Sequence, residues 1–107
     1  MPSKLKKRRA KRNSAKIFIE FLSYVEDYIN ENTLLGEKVK ILYLQKPQPN
    51  ILGLESRGVV KIGDRQYILE VWLNSETQQI TISSRAFIFG LDIKDAKKYI
   101  KSRENFK

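Results

Sequence analysis

Between residues 35 and 91, β-branched and aromatic residues recur in short runs that Gly, Pro, Asn and Asp interrupt. That pattern predicts several short antiparallel strands. Residues 37–45 alternate, with Val39, Ile41 and Tyr43 on one side and Lys38 and Lys40 on the other. Leu42 and Leu44 make the second side partly apolar, which suits a strand covered on both faces. Residues 46–50 hold Pro47 and Pro49, which cannot donate to a ladder, so a loop is expected there. Residues 51–55 form a short apolar piece. Residues 57–62 and 66–73 read as strands joined by a tight turn at Gly63-Asp64-Arg65. Residues 77–83, with Ile80 and Ile82 inward, and 86–91, with Phe87 and Phe89, complete a count of about five strands, that of a small closed barrel.

Helices are predicted on both flanks. Over residues 17–32, Phe18, Phe21, Leu22, Val25, Tyr28 and Ile29 keep the spacing of one helical face, and Glu20, Ser23, Asp27, Asn30 and Glu31 take the other. Ser14 is the expected N-cap, and Gly36 the left-handed stop after it. Residues 92–105 read as a short basic helix capped by Asp92. There Ile93, Ala96, Tyr99 and Ile100 form a narrow stripe, and Lys94, Lys97, Lys98, Lys101 and Arg103 surround it. The expected organisation is a tail at 1–16, disordered unless bound, and one globular domain over 17–107.

Charge is distributed unevenly. The chain of 107 residues carries a net +9. Residues 1–16 hold Lys4, Lys6, Lys7, Arg8, Arg9, Lys11, Arg12 and Lys16 and no acid, whereas the remainder holds 13 basic and 12 acidic residues. A basic arm on a near-neutral domain suggests a polyanion partner held through counterion release. Residues 17–32 contain acids and no base, so that helix is not expected to touch phosphate. Its aromatic stripe reads first as core, with Phe18, Phe21 and Tyr28 as partner-binding residues if part of it is exposed.

The chemistry of catalysis is sparsely represented. The chain has no Cys and no His, which removes disulfides, thiolate or imidazole metal ligands, and imidazole acid–base catalysis. Carboxylates are scattered, and Gly53, Gly58 and Gly63 match neither nucleotide fingerprint. We therefore expect no catalytic residues, no metal, no cofactor, no small-molecule substrate and no autonomous enzyme. There is no membrane-length apolar run and no apolar secretory segment, so an intracellular protein is expected: cytoplasmic, or nuclear and nucleolar in a eukaryote. Further candidate RNA contacts are Arg57 and Arg65 beside loops, Arg85, and Lys94, Lys97, Lys98 and Lys101 of the last helix. Trp72, Tyr67 and Tyr43 read as core or barrel-rim packing ahead of base-stacking platforms.

The order of these pieces resembles a known family. A basic arm and a helix precede Leu35-Gly36. A proline loop and apolar step follow at Pro49-Asn50-Ile51-Leu52-Gly53-Leu54, then Gly58-Val59-Val60, a hairpin, and Phe87-Ile88-Phe89. This resembles the Sm-like-barrel protein subunit of archaeal and eukaryotic ribonuclease P and the related RNase MRP. The chain departs from the family at Asn50, Ile62-Gly63 and Ser83-Ser84, and between Leu54 and Gly58. The resemblance implies a mainly β fold with flanking helices, built on a small Sm-like or SH3-like antiparallel barrel. It also implies binding to a catalytic RNA that removes the 5′ leader of precursor tRNA using its own metal ions. A zinc-binding protein partner on the helical end is implied as well.

Other readings remain open on the residues alone. One is a helix–three-strand–helix RNA binder of the double-stranded-RNA-binding or signal-recognition-particle type, with Lys94, Lys97 and Lys98 gripping phosphates. It is separated from the barrel by whether residues 51–55 and 86–91 pair into the sheet. Another is a small basic accessory protein of a ribosome or chromatin. The last is a protein–protein adaptor working through the aromatic helix face.

Overall fold

The computed structural model describes the backbone of residues 3–105 and the side chains of residues 13–105. Helix α1 spans Ser3–Leu22 and α2 spans Val25–Asn32. Strands β1 (Val39–Leu44), β2 (Gln48–Pro49), β3 (Gly53–Ile62), β4 (Arg65–Asn74), β5 (Gln79–Ser83) and β6 (Ile88–Asp92) follow, and α3 (Ile93–Glu104) closes the chain. All pairings are antiparallel, in the order β1-β3-β4-β5-β6, with β2 beside β3.

The sheet is open. A barrel would join the outer edge of β1 to β6, but α2 occupies that edge. Asn30 donates to the Val39 carbonyl (2.9 Å) and accepts from the Val39 amide (2.7 Å), and Glu26 accepts from the Ile41 amide (2.7 Å). These side chains substitute for a neighbouring strand and satisfy edge groups that would otherwise invite pairing.

Helices cover one face of the sheet. Val60 and Ile62 of β3, Leu69, Val71 and Leu73 of β4, Ile80 and Ile82 of β5, and Leu91 of β6 point that way. They pack with Phe18, Phe21, Val25 and Ile29 from α1 and α2, and with Ile93, Ala96 and Ile100 from α3. Between the first two helices, Ser23 and Tyr24 donate to carbonyls three residues back, Glu20 (3.1 Å) and Phe21 (2.8 Å). That tight turn re-aims the chain so that Val25 and Ile29 stay on the core. The other face of the sheet is bare.

Several expectations change. The first helix starts at Ser3, not near residue 17, so the backbone of the basic segment is helical rather than irregular. Lys, Arg and Ala are good helix formers, and a helix anchored by Phe18 and Phe21 propagates back through them without a breaker. Ser14 therefore lies inside α1, not at its cap: it is buried, and its hydroxyl donates to Gln78 Oε1. The 51–55 and 57–62 segments form one ten-residue strand, because Ser56 and Gly58 fit the buried positions between them. Ser56 donates to the Gln45 carbonyl (2.5 Å), and a Cβ at Gly58 would collide with the Tyr43 carbonyl. Gln48–Pro49 is a short strand rather than pure loop, with Pro49 on the outside edge that it tolerates. Asp92 sits at the N-cap of α3 without a capping bond; its carboxylate accepts from Gln79 instead. Gly63 (φ +59°) holds a left-handed conformation in its turn; Gly36 (φ +75°) is left-handed too but is not the helix stop, because α2 ends at Asn32 with an extended Thr33 as its C-cap.

The covering of β1 on both faces is also corrected. Ile41 pairs with Val60 and Tyr43 with Val59, so Leu42 is the extra residue of a bulge. One extra residue exchanges the faces. Tyr43 turns onto the bare face, 56% exposed, and Leu44 turns toward the core.

Candidate nucleic-acid interface

The helical side is built by α1 lying against α3. Phe18 and Phe21 drive that docking on one side, and Ala96 and Ile100 on the other. One turn away from these anchors, Lys16 of α1 and Lys97 and Lys101 of α3 line a shared groove of about 280 Å³. Glu20 and Glu104 lie in the same groove. Among the described residues, none of the three lysines is ion-paired. Lys94 and Lys98 are exposed on α3 as well. The side chains of Lys4, Lys6, Lys7, Arg8, Arg9, Lys11 and Arg12 lie outside the described residues, but the helix that carries them continues directly into the α1–α3 pair.

Gln78, a residue that sequence reasoning missed, fixes where α1 meets the sheet. It adopts φ +60°, a costly conformation for a non-glycine residue. Its amide donates to the Asn74 carbonyl (2.9 Å) and its carbonyl accepts from the Ile93 amide (2.8 Å). Its side chain donates to the Ser75 carbonyl (2.7 Å) and accepts from Ser14. One turn residue thus ties α1, the β4–β5 turn and the start of α3 together. A polar Ser14 within an otherwise apolar helical stripe was the available signal.

At the other end, α3 is locked to α2. Tyr99 donates to Glu31 (2.8 Å) and accepts from Arg103 (3.1 Å). Arg103 also pairs with Glu31, lies 3.7 Å from Asp27, and stands 5.3 Å from the centre of the Tyr99 ring. Burial pushes the Tyr99 phenol up to about 12, and the bond to Glu31 adds to the rise. The bond to Tyr99 raises the Arg103 guanidinium above its ordinary value. Phe21, Tyr28 and Tyr99 meet edge to face at 5.2–6.2 Å. Tyr28 also meets Phe89, and burial raises its phenol, with the Asp95 charge contributing. Arg103 is therefore a structural cation, unlike its lysine neighbours.

The candidate contacts do not form one patch. Arg57 lies mid-strand on the bare face, not beside a loop, and pairs with Glu55 at 3.3 Å. Arg65 flanks the β3–β4 turn, and Arg85 lies in the β5–β6 connection. Phe18 and Phe21 are fully buried, which places them in this chain's own core rather than on an outer surface, and Tyr28 is half-buried. Tyr67 packs against the core, whereas Trp72 and Tyr43 stand on the bare face. Lys40 and Lys61, directly opposite each other on that face, were not singled out because only the β1–β3 register brings them together.

Among the described residues, no group of three or more Asp, Glu, His or Cys side chains converges to hold a metal ion. Nor, among the described residues, is any helix long and apolar enough to cross a membrane. Comparisons with protein-family models, with curated proteins and with solved structures return no match. The chain is thus a small domain with a six-stranded open antiparallel sheet, three helices on one face, and a groove between two of them that three lysines and two glutamates line.

Proposed function

We propose that this chain is the RNA-binding protein subunit of a ribonucleoprotein, and that it holds structured RNA by phosphate contacts on its helical side. The observation that carries the reading is the packing of α1 on α3. It sets Lys16, in line with the basic run, beside Lys97 and Lys101. Unpaired, exposed lysines on two adjacent helices suit a phosphate backbone, which they neutralise with counterion release. Replacing Lys16, Lys97 and Lys101 together by Ala should lower the slope of log affinity against log salt by about 2–3. An unchanged slope, measured by fluorescence anisotropy with a structured RNA, would remove this site.

The assembly we propose is ribonuclease P, acting in 5′ maturation of precursor tRNA, on the strength of the residues that resemble its Sm-like subunit. A helix followed by strands that pair in chain order agrees with an Sm-like ancestry. A closed barrel would require α2 to release the edge of β1. Residues 53–55 and 88–91 do pair into the sheet, which favours this reading over a helix–three-strand–helix binder. A reconstituted cleavage assay at low magnesium tests the assignment. The chain should cleave nothing alone, and should stimulate a cognate catalytic RNA when added with its partner subunit. Tight binding to another RNA without such stimulation would leave an RNA-binding protein of a different particle.

A further inference from the structure

The bare face of the sheet has an internal order that the RNA reading does not use. Its residues follow from the register, row by row along the strands. The first row is Lys40, Lys61 and Gln66; the second is Tyr43, Val59 and Ile68. The third is Arg57, Glu70, Ser83 and Ile88; the fourth is Glu55, Trp72, Thr81 and Gly90. Asn74, Gln79 and Asp92 end it. Ile68 and Ile88 are 68% and 71% exposed, and Leu42, Tyr43 and Trp72 are exposed beside them. The charges are balanced but polarised. Two lysines stand at one end, Arg57 faces Glu70 in the middle and pairs with Glu55 along its own strand, and Asp92 stands toward the other end. Lys40 and Lys61 oppose each other directly, an arrangement unfavourable for an isolated sheet. Among the described residues neither has an ion-pair partner.

We infer that this face is covered by the same face of a second copy of the chain. A two-fold axis lying between the sheets and across the strands reverses the rows. On β3 and β4 the Lys61 end of each copy then meets the Glu55 end of the other, while Val59 and Ile68 of each copy lie on the Arg57 and Glu70 row of the other. Such a contact is isologous and closes at two copies. It is a sheet-on-sheet sandwich with layers about 10 Å apart. Five strands about 4.8 Å apart, the longest about 33 Å, offer on the order of 600 Å² per copy, near the low end for a specific interface. The balance of charge argues against a polyanion here: a phosphate backbone crossing the face would meet Glu70 and Glu55 on either side of Arg57. Edge-to-edge growth through β1 is blocked by Asn30 and Glu26. The dimer leaves both lysine grooves outward, so one particle presents two RNA sites.

Sedimentation equilibrium of the full chain tests this. The wild type should be dimeric at about 100 µM, and Ile68→Asp should raise the dimer dissociation constant at least roughly tenfold. Lys61→Glu should weaken the dimer, and adding Glu55→Lys to it should restore association. The two positions lie about 20 Å apart along one strand, too far to touch within a chain, so the rescue can only act between copies. A monomeric wild type at that concentration overturns the inference, as does a dimer that Ile68→Asp leaves intact. Loss of RNA affinity in Ile68→Asp beside a monomeric wild type would overturn it in favour of a nucleic-acid platform. Retained RNA affinity in the monomeric variant keeps the proposed function standing, whatever the fate of the dimer.

Discussion

On the helical side of the sheet, Phe18, Phe21, Leu69 and Ile80 have lost all contact with solvent; on the other side, Ile68 and Ile88 remain 68% and 71% exposed. Neighbours in sequence are thus divided, since Ile68 and Leu69 are adjacent and face opposite ways. The helical side carries the stabilising burial together with the lysines of the α1–α3 groove. The bare side carries apolar rows whose removal from water is not needed for the chain to fold. On the proposed reading, stability and nucleic-acid binding are therefore coupled through α1 and α3. The proposed association through the bare face is separable from both.

The largest effect should come from the helical side. Phe21→Ala removes a fully buried ring that also meets Tyr28 and Tyr99, and should cost about 3–5 kcal/mol of unfolding free energy in a denaturant titration. Gly58→Ala should follow at about 1–3 kcal/mol, because its Cβ meets the backbone of β1 rather than a movable side chain. Gln78→Ala should cost about 1–2 kcal/mol, through loss of the bonds to Ser14 and Ser75. In contrast, Ile68→Asp, followed by Trp72 fluorescence at submicromolar concentration, should shift stability by no more than about 0.5 kcal/mol. A loss comparable to that of Phe21→Ala would dissolve the distinction between the faces.

The smallest effect sharpens the comparison by pH. Tyr99 has its phenol raised to about 12 by burial and Glu31, against an ordinary value of 10.0. Its protonated form is the one the folded state favours. Its contribution is therefore fully present below pH 10 and is lost as pH rises from there toward 12. Unfolding midpoints should fall over that window, and Tyr99→Phe should flatten the fall. An identical flattening by Tyr43→Phe, on the bare face, would contradict the role given to the α2–α3 lock.

Much of the fold could be read from local pattern, and the failures have local causes. The stripe from Phe18 to Ile29 and the alternation through Ile80 and Ile82 depend only on period, and both face the core as expected. Gly63 announced its turn by backbone requirement, whereas Gly36, read as the helix stop, lies beyond the extended Thr33 that caps α2. The faces of β1 were misjudged because a single bulged residue, Leu42, leaves no mark in composition while it exchanges Tyr43 and Leu44. Closure was misjudged because Asn30 and Glu26 look like ordinary polar residues of a helix; only docking shows that they occupy a strand edge. The candidate site was half legible. The lysines of α3 were found by their exposure around an apolar stripe, but their meeting with Lys16 depends on a helix pairing between distant segments. Arg103 carried the same sequence signal as those lysines, and its partners Tyr99, Glu31 and Asp27 give it a different task.

The most direct test of the central claim is the salt dependence of RNA binding for three forms of the chain: intact, lacking residues 1–12 so that Ser14 is kept, and carrying Ile68→Asp. The truncated form should retain its fold, bind more weakly across all sequences, and lose several units of salt slope, at about one per phosphate contact removed. Ile68→Asp should keep the intact slope for each bound chain. Equal slopes for the intact and truncated forms, or a slope lost on Ile68→Asp instead, would contradict an RNA site on the helical side.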